Sequence, residues 1–261
     1  MTFHVVIPAR YASTRLPGKP LCDIGGRTMI QRVVEQAAAS GAREVLVATD
    51  DERIAAAVHD PRRQDSSIAV MTDPDLPSGT DRVAAVARVR GWTDDTIVVN
   101  VQGDEPFVPP RLIDQVARLL ASDPRASIAT LSTPITSLHD FLDPNVVKVV
   151  HADDGAALYF SRAPIPWARD GAPAGLASQT AFAGALRHVG MYAYRVGALR
   201  SITAMPPSSL ELTEKLEQLR AMQAGLRIVV ARCVVPPGPG IDTAADLERA
   251  RARVAGDSGK E

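Results

Sequence analysis

The chain has 261 residues but only two cysteines, Cys22 and Cys233. Two isolated thiols make no disulfide framework and suit a reducing cytoplasm, which is the expected location. No charge-neutral apolar run approaches the length of about 18 residues that a membrane helix needs, so no membrane insertion is expected. The first residues enter a strand pattern at once, and no signal peptide is expected either. A net charge near -1 argues against a nucleic-acid partner, because positive charge is clustered locally rather than spread over a face. Lysine is scarce: Lys19, Lys148, Lys215 and Lys260 are the only four. No internal repeat and no linker divides the chain. With 46% hydrophobic residues it has too much apolar content for disorder and enough for a sizeable core.

What is present is an alternation of strand and helix signals. Val5–Ile7, Glu44–Thr49, Ile68–Met71 and Thr96–Val101 read as buried strands. Helical patterns lie between them at 28–40, at Ile54–Val58 and from Gly79 onward, and Gly41 can end the first. This rhythm implies an α/β fold with a mostly parallel central sheet flanked by helices. Ligands of such sheets bind beyond the carboxyl ends of the strands. The second half is less regular. Ser127–Pro134, His188–Arg195 and Ile228–Arg232 read as strands, and Val146–Val150 pairs with Ala157–Phe160 around Asp153–Gly155. Residues 161–186 read as a long exposed loop or two short helices. Leu210–Ala224 reads as one charged amphipathic helix, and Ala244–Val254 as a closing helix. The expectation is a single domain over 1–261 with an inserted lobe at about 135–200.

The strand Val5–Ile7 runs into a loop, residues 8–20, that holds Arg10, Arg15 and Lys19, with Ser13, Thr14 and Gly18 and no acidic residue. It matches neither the GxxxxGK[ST] nor the GxGxxG phosphate loop. Three cations this close repel one another unless they are solvated or an anion visits, so the loop suits a polyphosphate. A solvated turn is the plain alternative. The strand 96–101 ends in Gly103, Asp104 and Glu105, where carboxylates can hold Mg²⁺ while phosphates fill its other positions. Asp242 follows another strand and precedes a helix, so it is either a second ligand at the same sheet edge or an N-cap. Hard oxygen ligands without a compact His/Cys cluster favour Mg²⁺ over zinc. Ser78-Gly79-Thr80-Asp81-Arg82 offers either backbone N–H groups to a nucleotide or a simple helix cap. Arg162 interrupts an apolar, proline-rich run and needs an anion, from a substrate or from the protein. His188 by itself reads as structural. The charges of 210–220 read mostly as a solvated face.

Eight stretches together carry a more specific signal: VVIPARYASTRLPGKPL, SGTDR, VNVQGDEP, DPNVVKVV, ALYFSRAPIPW, RHVGMYAYR, LELTEKLEQLR and GIDTAADLERA. They closely resemble the 3-deoxy-manno-octulosonate cytidylyltransferases, also called CMP-Kdo synthetases, in order and from residue 3 to about 252. The resemblance implies a Rossmann-like nucleotide-diphospho-sugar transferase fold with a β-rich lobe that makes homodimers. It implies conversion of CTP and the acidic sugar Kdo to CMP-Kdo and pyrophosphate, with Mg²⁺, for lipopolysaccharide biosynthesis.

By position, the resemblance implies that Arg10, Ser13, Arg15 and Lys19 hold the CTP triphosphate. It implies that Ala9, Ser78, Gly79 and Thr80 frame cytosine and ribose with Arg82 nearby. Asp104 and Asp242 are the implied metal ligands. Gln102, which also borders the nucleotide, joins Arg162, His188, Tyr192, Glu217 and Gln218 as the implied Kdo-binding set. Arg15 and Lys19 would stabilise the leaving group. Three other functions remain in view: a cytidylyltransferase for another acidic sugar such as sialic acid or an amino-Kdo, a metal-dependent glycosyltransferase, and a non-catalytic nucleotide-binding protein. No role is implied for 168–186.

Overall fold

The computed structural model describes residues 1–12, 16–62, 67–172 and 174–258. Strands β1 (Phe3–Ala9), β2 (Glu44–Thr49), β3 (Ala69–Met71) and β4 (Ile97–Asn100) are parallel and lie in the order β3-β2-β1-β4. They are linked by α1 (Met29–Ala38), α2 (Glu52–Ala57) and α3 (Gly79–Val89). Residues alternate between the two faces of each strand and are apolar on both. Val5 and Ile7 join Val45, Val47 and Val99 in the core under α1, whereas Val6, Leu46 and Val98 join Val83 and Val86 of α3 on the other side. The helix starts are fixed locally. Thr28 and Gln31 form a reciprocal capping box, and Ser78 Oγ accepts from the Asp81 N–H.

The second half adds α4 (Pro110–Ser122), β5 (Ile128–Pro134), α5 (Leu138–Leu142), the hairpin β6 (Lys148–His151) and β7 (Ala157–Ser161), and β8 (Leu186–Arg195). Helices α6 (Val196–Ala204), α7 (Ser209–Glu214) and α8 (Gln218–Gln223), strand β9 (Ile228–Arg232) and α9 (Ala244–Ser258) follow. The sheet continues β4-β8-β5-β9, with β8 antiparallel to both neighbours and β5 parallel to β9. Four of the six junctions on this path are parallel, so the expected mostly parallel α/β sheet is present. The early half of β8 also pairs with β6, and the hairpin hangs from the sheet there.

Two differences from the sequence reading have clear causes. The amphipathic segment 210–224 is two helices, because Lys215 sits in the left-handed region at φ 53°. A continuous helix needs the Glu214 and Lys215 carbonyls for its own ladder. Here they accept from Arg162 Nε (2.6 Å) and Nη2 (3.4 Å), while Leu216 and Leu219 turn into the core. The second difference is α4, a helix absent from the sequence reading. Its Leu112, Ile113, Val116, Ala117 and Leu120 are all buried at helical spacing.

Candidate active site

The carboxyl ends of β1 and β4 and the amino end of α3 converge on one cleft of about 320 Å³. Its walls include Ala9, Arg10 and Lys19, then Ser78, Gly79 and Arg82, then Gln102, Gly103 and Asp104, and finally Asp242. This is the edge where a sheet of this kind binds ligands. Glycine allows the close approach: a Cβ on Gly103 would stand 2.8 Å from the Pro8 carbonyl oxygen.

Asp242 reaches the site because its loop is stapled to the turn after β4. The Ile241 N–H donates to the Asp104 carbonyl at 2.9 Å. Gly238 lies so close to the Phe107 carbonyl that a Cβ would overlap it. Lys19 completes the arrangement, its Nζ donating to Asp104 Oδ2 (2.7 Å) and to Asp242 Oδ1 (3.0 Å). The neighbouring Glu105 carboxyl is pushed up to about 7, first by burial and then by the Asp104 charge. Ser13 and Arg15 lie outside the described residues. Arg10 is exposed at the cleft rim.

The donor set fits a hard divalent cation. Asp104 and Asp242 offer oxygen only, and an ammonium group already bridges them. Among the described residues no group of three or more His, Cys, Asp or Glu side chains is placed to hold a metal ion, so phosphate and water oxygens would complete the shell.

Arg82 borders the cleft but is 3% exposed and committed to the protein. It pairs with Asp50 Oδ2 at 2.6 Å and donates to Thr72 Oγ1 at 2.7 Å, which braces the loop leading to Ser78. Arg162 is braced by the protein. Its three side-chain nitrogens donate to the carbonyls of Glu214, Pro144 and Lys215, and its backbone N–H donates to the Glu214 carboxylate. The guanidinium thus meets main-chain carbonyls, and the carboxylate contact of Arg162 is through its backbone N–H.

The other implied sugar-binding residues gather next to the cleft. Glu217, at the start of α8, accepts from Ser78 Oγ (2.8 Å) and Thr80 Oγ1 (2.5 Å). It thereby joins the segment after the helix break to the turn of α3. His188 Nε2 lies 3.0 Å from Thr130 Oγ1, and its ring packs edge-on against Phe160 and beside Tyr192. Burial pushes the imidazole pKa down to about 3, so it is neutral at pH 7. The Tyr192 and Tyr194 phenols are pushed up by burial. Gln102 Nε2 lies 3.5 Å from the Gly190 carbonyl, at the bulge where β8 slips register against β5. Gln218 Nε2 and Asn100 Oδ1 are buried without a hydrogen-bond partner among the described residues.

The sequence patterns assign no role to Asn100, Thr130 and Lys148, and place Glu214 on a solvated face. The Lys148 ammonium is fully buried and donates to the Asp143 and Arg162 carbonyls at 2.9 and 2.7 Å. Glu214 accepts from Ser161 Oγ at 2.7 Å. The one signal for Lys148 was a lysine inside an apolar strand in a lysine-poor chain.

Comparison with known proteins agrees with this architecture. A family model described as Cytidylyltransferase matches residues 4–228. A 3-deoxy-manno-octulosonate cytidylyltransferase of Xanthomonas euvesicatoria is 57% identical over 254 residues, covering 97% of this chain and 96% of the relative. The protein of the same name from Thioalkalivibrio sulfidiphilus is 53% identical, covering 95% and 97%. The solved structure of a CMP:2-keto-3-deoxy-manno-octonic acid synthetase complexed with CTP superposes with a TM-score of 0.86 at 43% identity, covering 98% of this chain and 100% of that one. A cytidylyltransferase of Leptospira borgpetersenii, at 15% identity and TM-score 0.58, shares the fold. With a cytidylyltransferase model over most of its length and full-length relatives above half identity, the chain belongs to the 3-deoxy-manno-octulosonate cytidylyltransferase family of nucleotidyltransferases.

Proposed function

We propose that this enzyme transfers CMP from CTP to Kdo, giving CMP-Kdo and pyrophosphate for lipopolysaccharide biosynthesis. The observation that carries the reading is the convergence of Lys19, Asp104 and Asp242 in a cleft whose other wall, Ser78–Thr80, is hydrogen-bonded to Glu217. Phosphate-binding and sugar-binding groups thus meet at one sheet edge.

In this reading Arg10 and Lys19, with Ser13 and Arg15, take the triphosphate. Ala9 and the Ser78-Gly79-Thr80 turn frame the nucleoside. Gln102, His188, Tyr192, Glu217 and Gln218 hold Kdo so that its anomeric 2-hydroxyl meets the α-phosphorus in line with the leaving pyrophosphate. A new O–P bond forms as the bond to pyrophosphate breaks. The loop cations stabilise charge growing on the leaving oxygens. Mg²⁺ held by Asp104 and Asp242 would neutralise charge at the α-phosphate and polarise the phosphorus. Neutral His188 is suited to hydrogen bonding rather than to countering a charge. Arg162 receives a positioning role, because its nitrogens hold the Glu214–Lys215 break that presents Glu217. No covalent enzyme intermediate is needed, and burial pushes the Cys233 thiol up to about 11, away from nucleophilic use.

The reading also includes a cytoplasmic homodimer paired through the inserted lobe. Leu158, Trp167 and Leu176, at 60%, 44% and 57% exposure, give that lobe apolar surface for a second copy. The test of the activity is pyrophosphate release from CTP and Mg²⁺ with Kdo, with N-acetylneuraminate and without sugar. Release is expected with Kdo alone. Release only with N-acetylneuraminate would transfer the assignment to another acidic sugar, and release with neither from protein that binds CTP would end it.

A further inference from the structure

The two carboxylates at the sheet edge are bridged by an ammonium group of the chain itself. Lys19 lies on a one-turn 3-10 helix, Lys19–Leu21, after the loop that follows β1. Its side chain is 13% exposed, whereas Asp104 and Asp242 are 36% and 51% exposed. The three residues come from distant points of the chain, 85 and 223 positions apart. Lys19 therefore does at this site what a divalent cation would do. It sets one positive charge between two carboxylates that the fold brings together.

We propose that Lys19 is the resident counter-ion of the metal site, that a divalent cation has to displace it, and that an incoming nucleoside triphosphate draws it away. This rests on the reading above, in which Asp104 and Asp242 hold the metal and the cleft takes CTP. The argument is steric and electrostatic. Mg²⁺ binds carboxylate oxygen at about 2.0–2.1 Å and does not tolerate an ammonium group at the same two oxygens. Metal alone must expel a largely buried ammonium that then loses both of these carboxylate partners. A triphosphate changes the balance, because its oxygens accept the displaced Lys19 and complete the metal shell together. Cation and nucleotide then bind with positive coupling, and by linkage each strengthens the other equally. Arg10, exposed on the rim of the same cleft, remains free to meet the incoming phosphates first.

The proposal makes a prediction that a simple phosphate-binding lysine does not. Removing Lys19 strengthens metal binding in the absence of nucleotide. Mn²⁺ binding to the nucleotide-free full chain can be read by loss of the free Mn²⁺ EPR signal. Lys19→Met and Lys19→Gln are expected to bind Mn²⁺ at least about tenfold more tightly than wild type. Lys19→Arg, which keeps the charge, is expected to stay weak, and adding Asp242→Asn to Lys19→Met is expected to cancel the gain. Folded Lys19→Met and Lys19→Gln proteins that bind Mn²⁺ no better than wild type would overturn the proposal.

A wild-type measurement keeps the test independent of variants. Mn²⁺ affinity of the protein with bound CTP, corrected for the Mn²⁺–CTP complex, is expected to exceed that without CTP by about tenfold or more. Equal affinities would also overturn the proposal. Asp104→Asn and Asp242→Asn separate the two levels. If they leave Mn²⁺ binding with CTP unchanged, the metal assignment itself fails and the counter-ion with it. If they abolish it while the Lys19 variants behave as wild type, only the counter-ion role fails.

Discussion

Asp104, Asp242 and His188 show how titratable side chains take different work from their surroundings. Asp104 and Asp242 are the proposed metal ligands, so replacing either with Asn is expected to lower kcat by roughly hundredfold or more with the fold retained. Steady-state kinetics with a thermal melt checks both halves, and turnover near wild type in either variant would remove that carboxylate from the metal site. His188 answers to burial instead. Its pKa is about 3 in the folded protein against 6.5 for the free side chain. The unfolded chain therefore takes up the proton first as the pH falls. The stability tied to neutral His188 is complete above about pH 6.5 and is lost progressively between 6.5 and 3. By pH 5.5 the loss is about 1 kcal/mol. His4, also pushed down by burial, titrates in the same sense. Melts of wild type and His188→Gln between pH 7.5 and 5 test this, with a flatter acid slope expected in the variant.

At the scale of elements, the break between α7 and α8 is the feature that would organise the proposed sugar side. Arg162 takes the carbonyls that a continuous helix would use, and Ser161 holds the Glu214 carboxylate. Glu217 is then delivered to Ser78 and Thr80. Ser161→Ala is expected to raise KM for Kdo several-fold while CTP binding stays close to wild type, because the hydroxyl bonds the Glu214 carboxylate and the Ala163 N–H rather than a group of the cleft. A parallel loss of CTP affinity would show that the brace does not act on the sugar side alone. Gly238 is the corresponding point for Asp242. Gly238→Ala puts a methyl into the Phe107 carbonyl and is expected to cost about 1–3 kcal/mol and to raise the Mg²⁺ concentration needed for half-maximal rate. A variant with wild-type Mg²⁺ dependence would show that the loop position does not set metal binding.

For the whole molecule, one sheet carries both halves of the site. β1 and β4 present the proposed nucleotide edge, and β8, antiparallel between β4 and β5, brings His188 and Tyr192 beside it. The start of β8 also pairs with β6 of the hairpin β6–β7, so the proposed lobe would be tied by backbone hydrogen bonds to the strand that carries His188 and Tyr192. Pairing of two copies through this lobe would steady the pocket as well as cover Leu158. Sedimentation of wild type is expected to give a dimer and of Leu158→Asp with Trp167→Asp a monomer. A wild-type monomer at micromolar concentration would exclude the paired arrangement.

The sequence by itself determined the α/β rhythm, because alternating apolar runs and capped helical stretches are local signals. Glu44–Thr49 and Ile228–Arg232 are strands over the very residues that periodicity marked. It also determined the cationic loop after β1 and the acidic turn after β4, since charge at the end of an apolar strand stands out in one dimension. The helix break at Lys215 could not be read there, because its cause is a guanidinium more than 50 positions away. Nor could the commitment of Arg82 to Asp50, the burial of Lys148, or the closure of Lys19 on Asp104 and Asp242. A sequence shows which residues can bear charge. Only the folded chain decides which opposite charge lies within reach, because that depends on which strand ends the topology brings to the same edge.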